Sequence, residues 1–247
     1  IPVTLLLIFL AYAQTDWVND RQQGSISSSD VWLFSEYSAQ LLLAGENPYE
    51  HDMSYSLWIH RSPPIFSTPM IDGDLITSPS YPALAFLLFV PFHLLGISTE
   101  YVYPFFALLT YLALFFAAPR MIRPIILLPF LVDPRYFYFV FGGVNDIVWA
   151  FFIVMMIIHW QRPIPRALWF GLACAFKQQA WLFMPFLIIR LWMEHRHDPL
   201  QNKVYVLLEA ILNSAAVFLL FNLPFMLQNF DAWYAAVMTP LSQPMII

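Results

Sequence analysis

Apolar positions along this chain come in long blocks instead of alternating with polar ones. The blocks cover residues 1–13, 82–97, 102–118, 124–141, 146–160, 167–192 and 204–223, with short polar or proline-bearing joints between them. A helix needs about 20 apolar residues to cross the hydrocarbon core of a bilayer, and most of the blocks approach that length. They predict an all-α integral membrane protein, a multi-spanning helical bundle in one domain over 1–247. Block 1–13 is expected to be the end of a first spanning helix and not a signal peptide, 14–80 an outer loop with a juxtamembrane helix, 81–223 the spanning and broken helices, and 224–247 a further outer loop. Three blocks carry interruptions: Pro91 in the second, Asp133-Pro134-Arg135 in the fourth and Lys177-Gln178-Gln179 in the sixth. Helices broken at membrane depth line cavities. Prolines 82, 124 and 224 stand near the edges of apolar runs, where a missing N–H does least harm.

Composition agrees with the pattern. Of 247 residues, 60% are hydrophobic, 18% aromatic and only 11% charged, with a mean hydropathy of +0.64, whereas soluble domains carry about 25% charged residues. The chain opens at Ile1 inside an apolar run and stops at Ile247 without a polar tail, so it is expected to be a fragment of a longer polypeptide. The net charge of -5 is concentrated before residue 80, in Asp16, Asp20, Asp30, Glu36, Glu46, Glu50, Asp52, Asp72 and Asp74. That balance argues against nucleic acid as a partner, and the apolar blocks make membrane lipids one. The single cysteine, Cys174, excludes an internal disulfide.

Charge also orients the helices. Arg162 and Arg166, then Arg190, His195, Arg196 and Lys203, mark two cytoplasmic turns and leave 14–80 outside. Block 167–192 then rises and returns, with Lys177 near its apex. Arg120 and Arg123 suggest a third cytoplasmic turn, but two full crossings between residues 80 and 120 are then one too many. Either one of those segments is re-entrant or "PRMIRP" faces outward.

Within the outer loop, "SSSDVWLFSEYSAQLLLAGENPYEHD" (27–52) predicts a helix lying at the membrane surface. Ser27 is a candidate cap with Asp30 at its third position, and Val31, Phe34, Leu41 and Leu42 share a face. Gly45 suits a left-handed stop, and Asn47-Pro48 forces an extended turn. Two roles are open to Asp30: a carboxylate at the positive end of a helix dipole, or a general base held above the bilayer. Two are open to Asp146, which follows Gly142-Gly143 and Asn145: a helix cap, or a holder of sugar hydroxyls or a metal ion. Lys177 could snorkel, pair with Asp146 or Asp133, or meet an anion. Gln178 and Gln179 could bond a ligand or satisfy the helix break.

Taken in order, "SDVWLFSEYSAQLLLAGENPYEHD", "SPSYPALAFLLFVPFHLLG", "GGVNDIVWAFF", "RALWFGLACAFKQQAWLFMPFLI" and "NLPFMLQNFDAWYAAVMTP" resemble the membrane glycosyltransferases of the GT-C superfamily. Within it they are most similar to the polyprenyl-phosphate-sugar-dependent mannosyltransferases. That family places an aspartate in the first large outer loop, then a helix, a Gly-x-Asn-Pro-Tyr turn and a Tyr-Pro-Pro-Leu lead into the next helix. Matching positions are Asp30; Gly45, Asn47, Pro48 and Tyr49; and Tyr81, Pro82 and Leu84, with Ala83 in place of the second proline. Each motif alone is weak, and their order carries the likeness.

The resemblance implies an inverting hexosyltransferase, mannose-like in its sugar, working at the outer face of a cell membrane. The donor would be a polyprenyl-phosphate sugar and the acceptor a hydroxyl of a glycan, lipid or protein. Asp30 would be the general base. Lys177, with Arg61 and Arg135 as alternatives, would meet the donor phosphate, whose growing charge needs cations or N–H donors. Asn47, Tyr49, Tyr81, Asn145, Asp146 and Gln178 would line the sugar and acceptor site. The resemblance implies no definite cofactor, although a divalent metal ion at Asp146 is compatible with the family.

Other constellations are weaker. His195-x-His197 lies in a basic turn and is better explained as a charge run facing headgroups, and nothing fixes His51, Asp52 and His60 as a metal set. Trp32, Tyr49, Trp58, Tyr81 and Trp181 could stack on sugars or form interfacial belts. No nucleotide-binding fingerprint is present. Two rival functions remain, a secondary transporter, which also uses broken helices, and a non-catalytic assembly subunit.

Overall fold

A computed structural model of the protein describes residues 29–59, 68–71, 73–127 and 140–239. Block 1–13, Ser27, His60, Arg61, Asp133 and Arg135 lie outside these. Among the described residues the fold is all-α, and its one extended pairing is an isolated antiparallel bridge, Pro69 to Leu75.

Helix α1 (Asp30–Leu43) is followed by a 3-10 turn, Pro48–Glu50, and by short α2 (Ser54–Ile59). Block 82–97 forms two short helices, α3 (Leu84–Leu87) and α4 (Val90–Leu94), and Pro91 stands in the first turn of α4, where its missing N–H costs little. Then come α5 (Val102–Ala117), a 3-10 turn Arg123–Leu127, and α6 (Asp146–Ile158). Block 167–192 is α7 (Pro163–Phe176), a break at Lys177, a 3-10 segment Gln178–Phe183, and α8 (Met184–Glu194). Long α9 (Leu200–Gln228) and α10 (Phe230–Val237) follow.

The break falls where the sequence turns polar. Lys177 is extended (φ -149, ψ 137), which ends α7 and turns the chain back. At the far end of this hairpin, the Trp160 indole donates to both carboxylate oxygens of Glu194 at 2.9 Å, so the chain ahead of α7 and the end of α8 meet. The chain therefore doubles back on itself between α7 and α8.

At the centre, α7 packs on α6 and α9, and α5 packs on α6. Small residues let α7 and α9 approach. Ala167 and Gly171, four residues apart on α7, meet Ser214 of α9, and Ser214 Oγ donates to the Ala167 carbonyl at 3.0 Å. A Cβ added at Gly171 would meet the Ser214 carbonyl oxygen at 2.7 Å. Such small-residue contacts are how helices pack where burial of apolar surface offers no drive.

Among the described residues, two helices are long and apolar enough to cross a membrane, Thr99–Ala117 (α5 with the turn before it) and Leu200–Gln228. Helix α9 turns Tyr205, Leu208, Leu212, Leu220 and Leu227 outward, exposed. At 1.5 Å per residue it measures about 43 Å, beyond the roughly 30 Å of a hydrocarbon core.

Three expectations change. Helix α1 does not lie on a surface with one apolar face: Asp30, Trp32, Leu33, Phe34, Ser35, Glu36, Ser38, Ala39 and Leu41 are all buried, because small Ser and Ala side chains admit neighbours on its other faces. Its cap is Ser29, whose Oγ accepts from the Trp32 N–H, so Asp30 is the first helical residue. Residues 224–237 are not a loop: α9 runs through Pro224 to Gln228 and α10 follows. Buried Asn222 anchors that corner. Its Oδ1 accepts from the Ala83 N–H (3.0 Å) and the Trp233 indole (3.2 Å), and its Nδ2 donates to the Phe218 carbonyl (3.0 Å).

Candidate active site

Segments far apart in sequence converge where α1 begins, α6 begins and the α7–α8 hairpin turns. The Ser29 N–H donates to the Gly142 carbonyl (2.9 Å) and Ser29 Oγ to the Gly143 carbonyl (2.7 Å), which docks the start of α1 onto the turn before α6. Gly143 permits this. Its φ of +86 lies in the left-handed region, and a Cβ there would fall 2.6 Å from the Trp32 Cβ.

Asp30, 8% exposed, directs Oδ1 to the Val31 N–H (2.8 Å) and Oδ2 to the N–H and hydroxyl of Thr68 (2.9 Å each). Asp146 begins α6 but does not cap it, and Asn145 in the cap position makes no side-chain cap bond either. Asp146 Oδ1 instead accepts from Lys177 Nζ (2.7 Å) and the Trp149 indole (2.8 Å), and the side chain stays 56% exposed.

Lys177 is 4% exposed and neither snorkels nor stands alone. Its ammonium donates to Asn145 Oδ1 and Asp146 Oδ1, both at 2.7 Å, and lies 5.2 Å from the centroid of the Tyr81 ring. That is an ion pair, a charge-assisted hydrogen bond and a cation–π contact on one cation. The Tyr81 phenol faces the Asn145 side chain; burial holds it protonated, with the charges of Asp30 and Asp146 acting in the same direction.

The backbone of Tyr81 is held from below. Tyr49 is buried edge-on to Phe86 and Phe225, and its hydroxyl donates to the Tyr81 carbonyl at 2.9 Å. Asn47 caps the turn beneath by accepting from the Tyr49 N–H (3.2 Å). Gln178 ties the helix break to two distant segments, its Nε2 donating to the carbonyls of Ser80 and Val237 and to no backbone group of the broken helix. Asn47, Tyr49 and Gln178 therefore brace the cluster, and Asp30, Tyr81, Asn145, Asp146 and Lys177 compose it.

The histidine sets resolve otherwise. His51 pairs with Glu46 (2.9 Å), Asp52 accepts from the Ser54 N–H, and His195 Nδ1 bonds the Leu191 carbonyl. Among the described residues no group of three or more His, Cys, Asp or Glu is placed to hold a metal ion. Sequence reasoning missed Ser29 and Thr68. Ser29 was detectable as the residue just before Asp30; Thr68 carries no motif.

Fold and site together define a helical protein with a buried, charge-containing polar cluster at the turn of a hairpin. No family, no curated protein and no solved structure matches the chain.

Proposed function

We propose that this protein is a multi-pass membrane glycosyltransferase of the GT-C kind, moving a hexose from a polyprenyl phosphate to an acceptor hydroxyl at the outer face of a cell membrane. The observation that carries the reading is the docking of Ser29 onto Gly142 and Gly143, which puts Asp30 in one neighbourhood with Tyr81, Asn145, Asp146 and Lys177. Inverting transfer needs one carboxylate to take the acceptor proton and a second set of polar groups to hold the sugar and its leaving phosphate. Asp30 is the general base. Asp146, half exposed with its Oδ2 outside the Lys177 contact, holds sugar hydroxyls. Lys177 has three donors and commits two of them to Asn145 and Asp146, which leaves one for the donor phosphate. Tyr81 offers an aromatic face beside them. The two long apolar helices and the leucine-rich exposed face of α9 suit a lipid surround.

The test uses the full-length protein in membranes. Asp30→Asn is expected to abolish transfer while folding and donor binding persist, and Asp146→Asn to raise the donor KM. Wild-type turnover in Asp30→Asn removes Asp30 from the chemistry.

A further inference from the structure

The two oxygens of Asp30 are not equivalent. Oδ2 receives two donors from one residue, the N–H and the hydroxyl of Thr68, both at 2.9 Å, whereas Oδ1 receives only the Val31 N–H at 2.8 Å. A carboxylate oxygen offers about two lone-pair positions. Oδ2 is therefore full, and Oδ1 keeps one position open.

Thr68 does not belong to the helix that carries Asp30; it is 38 residues away. A small hairpin holds it there. The Ile76 N–H donates to the Thr68 carbonyl (3.0 Å), the Met70 N–H to the Asp74 carbonyl (2.7 Å), and Gly73 makes the turn at φ +93. The hairpin is tied down in turn where the Met53 N–H donates to the Thr77 carbonyl at 2.7 Å. A tertiary element thus delivers two donors to one oxygen of a carboxylate that its own helix engages only through the Val31 N–H.

We propose that Thr68 is a positioning residue for Asp30: its two donors reserve Oδ2 and fix the carboxyl plane, so that the acceptor proton is taken by Oδ1. The inference rests on the reading of Asp30 as general base. In the step it describes, the acceptor O–H bond breaks and its proton goes to Oδ1. The acceptor oxygen bonds the anomeric carbon, and the bond from that carbon to the phosphate oxygen breaks with its electron pair leaving on the phosphate. Thr68 exchanges no proton. Its hydroxyl remains a donor to Oδ2 throughout, and loss of that donor lets the carboxyl turn away from the productive geometry.

Thr68→Val removes the hydroxyl, keeps the shape and keeps the backbone N–H; Thr68→Ser keeps the hydroxyl. Both are compared with wild type and Asp30→Asn in the full-length protein, measuring kcat, the KM of each substrate and the thermal midpoint. The expected result for Thr68→Val is a kcat lower by about ten-fold or more, the order expected for one hydrogen bond to a charged group. Both KM values and the thermal midpoint stay near wild type, and Thr68→Ser recovers most of the lost rate. A wild-type kcat in Thr68→Val overturns the proposal, as does a Thr68→Ser variant as slow as Thr68→Val. A Thr68→Val protein that no longer accumulates makes the hydroxyl structural and overturns it too. Should Asp30→Asn be inactive while Thr68→Val turns over normally, only the role of Thr68 falls. Should Asp30→Asn itself turn over normally, the base assignment falls first.

Discussion

The two ends of the α7–α8 hairpin gather polar groups on different scales. At the open end, Trp160 and Arg190 both bond Glu194 in exposed or half-exposed surroundings, Arg190 and Glu194 being four residues apart on one helix at 2.9 Å, and buried Arg166 reaches only the nearby Trp160 carbonyl (2.8 Å). At the turn, Lys177, Asn145 and Asp30 are buried, and their partners come from α1, the 68–76 hairpin, the Tyr81 lead-in and the start of α6. Exposed ion pairs need no tertiary structure and contribute little. A buried ammonium is tolerated only where partners are held for it. A fold that brings four other segments together at the turn that carries one buried lysine, at a cost in desolvation, suits the working end proposed above, and the open end shows no comparable convergence.

Breaking the turn end at its cation has the largest expected effect. Lys177→Met strands Asn145 Oδ1 and removes the partner of Asp146, so it should destabilise the protein by roughly 2–3 kcal/mol, within the range for uncompensated buried polar groups. It should also raise the donor KM more than the acceptor KM. Denaturant midpoints and steady-state kinetics measure both, and an unchanged donor KM counts against a phosphate role.

The seam between α1 and α6 comes next. Gly143→Ala forces a side chain into a left-handed backbone at φ +86 and against Trp32, and should cost about 1–3 kcal/mol. Because the same seam positions Asp30, transfer should fall with it. A stable variant with reduced transfer sharpens the contrast, and one stable and fully active contradicts the seam's role. At the open end, Glu194→Gln should shift stability by at most about 1 kcal/mol and leave transfer unchanged. A large loss of activity there would dissolve the distinction between the two ends.

Much of this was legible because it is local. The break at Lys177-Gln178-Gln179 follows from three polar residues inside an apolar run, and the left-handed stop at Gly45 (φ +85) follows from its place after α1. Partners were less legible. Sequence left Lys177 a choice of solvent, an anion or two carboxylates, because pairing with Asp146 depends on how α6 and α7 pack, which no local spacing states. The burial of α1 was hidden for a related reason: Ser35, Ser38 and Ala39 look like an exposed face, but their small size admits close neighbours. Helix α9 runs past Pro224, where a stop was expected, because contacts such as those of Asn222 hold the corner from outside the helix. Thr68 was invisible altogether, since its contact with Asp30 is made across 38 residues by a hairpin that the apolar pattern does not mark.

Transfer from a lipid-linked sugar can be measured with a donor panel. Membranes carrying the full-length protein are incubated with radiolabelled polyprenyl-phosphate hexoses and, in parallel, with the corresponding nucleotide sugars under conditions that block conversion between the two. The account predicts that label passes to an acceptor from a polyprenyl-phosphate hexose and not from a nucleotide sugar. Direct transfer from a nucleotide sugar, or no transfer from any polyprenyl-phosphate hexose, would contradict it.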